Sequence, residues 1–423
     1  MCITLASLIL AVCDLSGAFA DRSGWETPAE DFVTAHAEDG FRFASDKHDI
    51  VNCLRKGGAT WNGLEVWETR VYYKAGVAER VEMSLYNRGD DKGGGLGAEE
   101  LKALLDRAAA AAEPGGRIGV NPEKRKLKSG GWQFVRRFTG GGDEVSLAWG
   151  VSSLKQKEQT ADFVRVTLTP KGAGRPTQRQ TAGIVSAAKT KANVVKEASG
   201  DVWIDNVPMV DQGQKGYCAA AVAERVLRYY GKTVDEHEIA QMAGSTAEGG
   251  TSLSEMAGTV RDVGSKNRLG FAEIVSFSSD MKGIERDVDA YNKAARALKE
   301  PAISLDSCKE GNCFMLNRLY EQMKPEVVLK ARTKDARFKK FLSGVKAQVD
   351  RGIPVFWGVT LGRFPEPEIP QTAGGHMRLI IGYNTKKHTI IYTDTWGAGH
   401  ERKEMDEGRA FAITHDAFFL KPL

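Results

Sequence analysis

Val207-Pro-Met-Val-Asp-Gln212-Gly-Gln-Lys-Gly-Tyr217-Cys218-Ala-Ala-Ala221 runs from an extended, glycine-punctuated approach into an alanine-rich stretch. From Cys218 to Tyr230 the apolar residues Val222, Val226 and Tyr229 recur at helical spacing, and Gly231 comes next, so the pattern predicts a helix starting at Cys218. A cysteine in the first turn of a helix feels the positive end of the helix dipole and the free N–H groups there. Its thiolate is favoured and its pKa falls. Gly213 and Gly216 let the approaching backbone turn sharply and stay close to a ligand. Gln212, six positions before Cys218, can bring its side-chain NH₂ beside the Cys218 backbone N–H, and two such donors make an oxyanion hole. Alone, Cys218 shares a helical face with Val222 and Val226 and reads as a small buried hydrophobe. Residues much further along the chain decide between the two readings.

Two downstream stretches bear on that decision. Gly374-Gly-His376-Met-Arg-Leu-Ile-Ile-Gly-Tyr383 puts a histidine at the start of an apolar strand, and Tyr392-Thr-Asp394-Thr-Trp396-Gly397 puts an acid in a loop after the next strand. Singly, His376 reads as a core histidine and Asp394 as a turn cap. In the order Gln, Cys, His, Asp they resemble the papain-like cysteine peptidases. The nearest branch by resemblance is the bacteriocin-processing-peptidase-like enzymes, through Val207-Pro, Gln212, Cys218, Leu227-Arg-Tyr-Tyr-Gly231 and an acid in third place. The resemblance spans residues 201–423. It implies a helical lobe and an antiparallel sheet lobe with a cleft between them, and a Cys218–His376–Asp394 triad with Gln212 at the oxyanion. It also implies that Trp396 shields the His–acid hydrogen bond. Ala219-Ala220 replaces the aromatic or Gly-Pro of the relatives, a departure that bears on substrate choice. Gly249 and Gly250 are candidate backbone contacts for an extended substrate, set against their simpler role in a loop before the capping box Ser252-Leu-Ser-Glu255.

The rest of the chain frames this unit. Val81-Glu-Met-Ser-Leu85 alternates with period two, Glu99 to Glu113 reads as a helix, and Gly131–Phe138 and Glu144–Val151 flank a glycine-rich hairpin turn. Residues 21–170 are therefore expected to form a small α+β domain. Lys171 to Gly200 carries six basic residues against one acid among small residues, and is read as a flexible linker. Phe338 to Asp350 reads as an amphipathic helix feeding the strand Val355 to Thr360, and Met377 to Tyr383 and His388 to Thr393 as paired strands. Helices first and sheet second make residues 201–423 a second α+β domain.

The 423 residues carry 59 basic and 55 acidic side chains, a net +4 spread along the whole length, so the chain lacks a nucleic-acid binder's single-sign surface. Ile3 to Val12 is apolar and Ala18-Phe-Ala20 precedes Asp21, which reads as a signal peptide over residues 1–20 and an exported protein. No segment is expected to stay in a membrane. Outside the cytoplasm Cys308 and Cys313, with four residues between them, could close a local disulfide, leaving Cys53 and Cys218 as thiols.

The sequence thus predicts an exported cysteine peptidase acting on a peptide or protein, with no metal and no cofactor. A transpeptidase or acyltransferase using the same acyl-enzyme, and a silent peptide-binding module, are the alternatives. The domain before the linker is expected to restrain the catalytic one until the linker is cut; recruitment or adhesion is its other reading.

Overall fold

A computed structural model describes residues 12–423 apart from 92, 128–130, 172–185, 214, 233, 244–252, 278–279, 311–312 and 372. Gly249 and Gly250, and Ser252 of the capping box, lie outside the described residues.

The first half is built on an antiparallel sheet. Its central strands are β1 (Ile50–Cys53), β2 (Glu68–Lys74), β3 (Val77–Asn87), β4 (Trp132–Thr139), β5 (Glu144–Val151) and β6 (Ala161–Thr169), in the order β1-β2-β3-β6-β5-β4. The strands alternate as the sequence predicts, so one face carries Val71, Val81, Met83, Leu147 and Val166 into an apolar core. Helix α1 (Ala98–Ala112) covers part of that core through Leu101, Ala108 and Ala112. The opposite face is polar along the cross-strand row Arg42, Asn52, Arg70 and Glu82.

The second half holds another antiparallel sheet, with helices packed on it. Its elements are β7 (Val194–Lys196), β8 (Asp201–Ile204), α2 (Cys218–Tyr229), α3 (Glu236–Met242), β9 (Leu269–Ser276), α4 (Met281–Leu298), α5 (Pro325–Thr333), α6 (Arg337–Val349), β10 (Val355–Leu361), β11 (Gly374–Asn384), β12 (Thr389–Thr393) and β14 (Thr414–Pro422), with β13 (Lys403–Asp406) on the rim. The order is β7-β8-β11-β10-β14-β9, and β12 and β13 extend it beside β11. A separate apolar core gathers Val222, Val226, Phe341, Phe356, Trp357, Leu379 and Phe418 between α2, α6 and the sheet. The chain is therefore a mixed α+β protein with two large cores among the described residues.

Three stretches gain detail in the structure. Residues 13–20 pack against the first half of the chain. Cys13–Asp14 pairs in parallel with Ala59–Thr60, and Leu15 and Phe19 are buried, Phe19 with its ring 4.9 Å from that of Trp25. A short apolar run suits a core as well as a signal peptide, and here its end is packed. The stretch read as a linker is also partly folded: Ala187–Lys191 is helical, and Val194–Lys196 pairs with β8, because Val194-Val195 supplies an edge strand inside a basic, small-residue context. Lastly, Cys308 is a free, buried thiol that accepts a hydrogen bond from Gln322, on a hairpin where Glu310 pairs with Cys313.

Candidate active site

Helix α2 begins at Cys218, with Tyr217 as its cap, and ends at the tyrosine pair before Gly231. Its apolar face packs on β11, which carries His376 near its start. His376 Nε2 lies 3.0 Å from Asp394 Oδ1, and both side chains are fully buried. Asp394 comes directly after β12, the strand paired with β11. With Nε2 taken by the acid, the other ring nitrogen, Nδ1, has no conventional hydrogen-bond partner. It is the nitrogen left for Cys218.

Burial pushes the Cys218 thiol up, but the hydrogen bond and charge of His376 and the N–H groups of Met377 and Ala219 outweigh it, and the thiol ends below its ordinary value. For His376 burial works downward, and Asp394 and Cys218 together push it up to about 9. Burial raises the Asp394 carboxyl, while His376 and Arg378 hold it below the usual carboxylate range. All three shifts favour one state, a thiolate beside an imidazolium beside a carboxylate.

Trp396 stacks on the His376 ring at a centroid distance of 4.3 Å and an interplanar angle of 9°. Gln212 is buried in the loop before α2. Its backbone N–H donates to Thr395 O at 2.9 Å, its Oε1 accepts from the Thr395 hydroxyl, and its Nε2 donates to Lys215 O at 3.0 Å. An amide NH₂ has two hydrogens, so one remains for a ligand. The loop makes this shape through Gly213, whose φ of 65° is a left-handed conformation suited to glycine.

The structure thus brings Cys218, His376, Asp394 and Trp396 together and sets Gln212 against the loop that carries Asp394. It adds residues that the sequence reading missed. Arg378 Nε donates to Asp394 Oδ1 at 2.9 Å, and its Nη1 lies 2.8 Å from Glu366 Oε2. Arg225, on α2, donates to Pro208 O, Asp394 O and Thr393 Oγ1. Arg378 had a visible signal, since two residues along a strand from His376 is the same face. Arg225 had none.

Among known proteins, the model of the Peptidase_C39 like family matches residues 305–417, a stretch that holds His376 and Asp394. That segment is thus similar to the C39-like peptidases, and Gln212 and Cys218 lie outside the matched residues. A solved structure, xylellain, a cysteine protease from Xylella fastidiosa, is similar at 12% sequence identity over 55% of this chain and 88% of that one, with a TM-score of 0.27. No curated protein matches the chain.

Proposed function

We propose that this C39-like chain is an exported peptidase whose second half, residues 201–423 with the edge strand before it, is a papain-like pair of lobes meeting at Cys218 and His376. The observation that carries the reading is the His376–Asp394 hydrogen bond made through Nε2, which reserves Nδ1 for the helix-starting thiol. The Cys218 thiolate attacks the carbonyl of a peptide bond. The oxyanion is held by the Cys218 N–H and the spare Nε2 hydrogen of Gln212. His376 passes its Nδ1 proton to the leaving amine, then takes one from the water that hydrolyses the acyl-enzyme. Asp394 fixes the ring orientation and the charge of the imidazolium. Trp396 keeps water from the His376–Asp394 hydrogen bond.

Export rests on the apolar run Ile3 to Val12 and on Ala18-Phe-Ala20 directly before Asp21, which put the mature start near Asp21. Among the described residues no helix is long and apolar enough to cross a membrane. The test is wild type against Cys218→Ala on a peptide library, with a thiol-directed peptidyl epoxide as label. Cleavage that survives in Cys218→Ala, or an epoxide bound elsewhere, removes the reading. N-terminal sequencing of the exported protein locates the mature start.

A further inference from the structure

A cluster of buried charge outside the candidate site lies where the two halves meet, under the loop that carries Gln212. The Lys215 side chain is 1% exposed, and its ammonium is hydrogen-bonded to Glu68 Oε1 and sits 3.5 Å from Glu236 Oε1. Glu68 Oε2 in turn meets His237 Nε2 at 3.0 Å, and Arg70 Nη2 reaches Glu236 Oε1 at 2.6 Å. Glu68, Glu236 and His237 could by their spacing hold a metal ion. The Lys215 side chain already sits among them, so the cluster reads as an ion network.

The network grips both ends of the Gln212 loop from the first half of the chain. At the start, Arg70 Nη2 donates to Asp211 O at 3.2 Å, and Arg42 and Asn52 reach Asp211 Oδ2 at 3.3 and 3.4 Å. These three residues belong to the polar cross-strand row of the first sheet. At the far end Glu68 holds Lys215, and Gly89 packs so closely that a Cβ there would lie 2.5 Å from the Tyr217 ring. Lys215 therefore has two jobs. Its side chain is fastened to the first sheet, and its carbonyl receives the Nε2 of Gln212.

Resting on the oxyanion role given to Gln212 above, we propose that Lys215, fastened by Glu68, is a positioning residue that sets the Gln212 amide, so that the first domain completes the oxyanion site. The expected inhibitory role of that domain is the opposite of this one. Glu68–Lys215 and Arg70–Glu236 are paired across the contact, so parting the halves would release the loop that these pairs hold.

The test separates oxyanion stabilisation from thiol reactivity. Acylation by a peptidyl p-nitrophenyl ester develops an oxyanion, whereas alkylation by iodoacetamide is a displacement at saturated carbon and develops none. In full-length protein, Gln212→Ala, Glu68→Gln and Lys215→Met are each expected to slow single-turnover acylation by about 10- to 100-fold, with alkylation of Cys218 within about twofold of wild type. The Gln212→Ala/Lys215→Met double variant should be about as slow as Gln212→Ala alone, because both act through one amide. Should Lys215→Met not fold, Glu68→Gln, which keeps its shape and loses one charge, carries the comparison. Wild-type acylation in Glu68→Gln and Lys215→Met beside a slow Gln212→Ala overturns the proposal and leaves the oxyanion reading standing. Equal loss of acylation and alkylation in Glu68→Gln also overturns it, as a general loosening of the site. A fast Gln212→Ala removes the oxyanion reading, and the proposal with it.

Discussion

Arg378 and His376 share one oxygen: Asp394 Oδ1 accepts Nε of Arg378 at 2.9 Å and faces Nε2 of His376 at 3.0 Å. A single buried carboxylate thus answers two cations from neighbouring positions on one face of β11. Arg378 also meets Glu366, so it ties the acid to a second carboxylate.

Replacing Arg378 by Met should therefore act on stability first. It leaves Asp394 with one partner and Glu366 without its closest cation, and breaking a buried ion pair on one side costs about 3 kcal/mol or more. Urea unfolding of Arg378→Met beside wild type measures this; a loss below about 1 kcal/mol would mean that the pair is neutral in effect.

Cys218 should be the thiol that reacts. Burial raises the Cys53 thiol, and burial with the charge of Asp39 pushes Cys13 up to about 12, whereas the Cys218 thiol is lowered by its contact with His376. Alkylation at pH 7 followed by peptide mapping should find Cys218 modified well before Cys53 or Cys13. Cys218→Ala should lose turnover while its unfolding free energy stays within about 1 kcal/mol of wild type, the change removing one atom at a partly exposed helix start.

The pH profile should be a bell with its alkaline limb near 9. Turnover rises as the thiol ionises and falls as His376, pushed up to about 9, loses the proton that the leaving amine needs. Asp394→Asn removes the anion that favours the imidazolium, so the alkaline limb should move to lower pH and the rate should drop. The same shift bears on stability. The folded pKa of His376 lies above its unfolded value of about 6.5, so its contribution is fully present below that value and lost as pH rises through about 9. Rates and melting temperatures between pH 5 and 10 check both; an alkaline limb unmoved in Asp394→Asn would detach the acid from the proton transfer.

Cutting the chain between residues 172 and 185 should not part the halves. Arg165 meets Asp235 at 2.7 Å and Glu238 at 3.1 Å, and with Glu68–Lys215 and Arg70–Glu236 these pairs span the contact. A specific protease site placed in that stretch and cleaved should give a nicked protein whose two pieces co-elute in gel filtration with activity retained. Separation with increased activity would restore the inhibitory role for the first domain.

The parts legible in the sequence were those written locally. A helix start at Cys218, a Gly-Gly-His strand and an Asp-x-Trp-Gly loop each show in a few adjacent residues, and their order gave the reading its weight. What stayed hidden depends on distance along the chain. Glu68 and Lys215 are 147 residues apart, and nothing near either one signals the other. The row Arg42, Asn52, Arg70 has the alternation of a solvent-facing strand surface, so the burial of Asn52 and Arg70 under a second domain could be seen only in three dimensions.

The clasp between Gln212 and Thr395 has a mechanical consequence. Thr395 sits directly after Asp394, and it holds Gln212 through both a backbone and a side-chain hydrogen bond, while Arg225 pins Asp394 and Thr393 from helix α2. The floor between helix and sheet is thus riveted at three consecutive residues. On the proposed peptidase reading we expect a peptide to enter along the rim as an already extended chain, and folded proteins to be cut only at loops or tails loose enough to be threaded there.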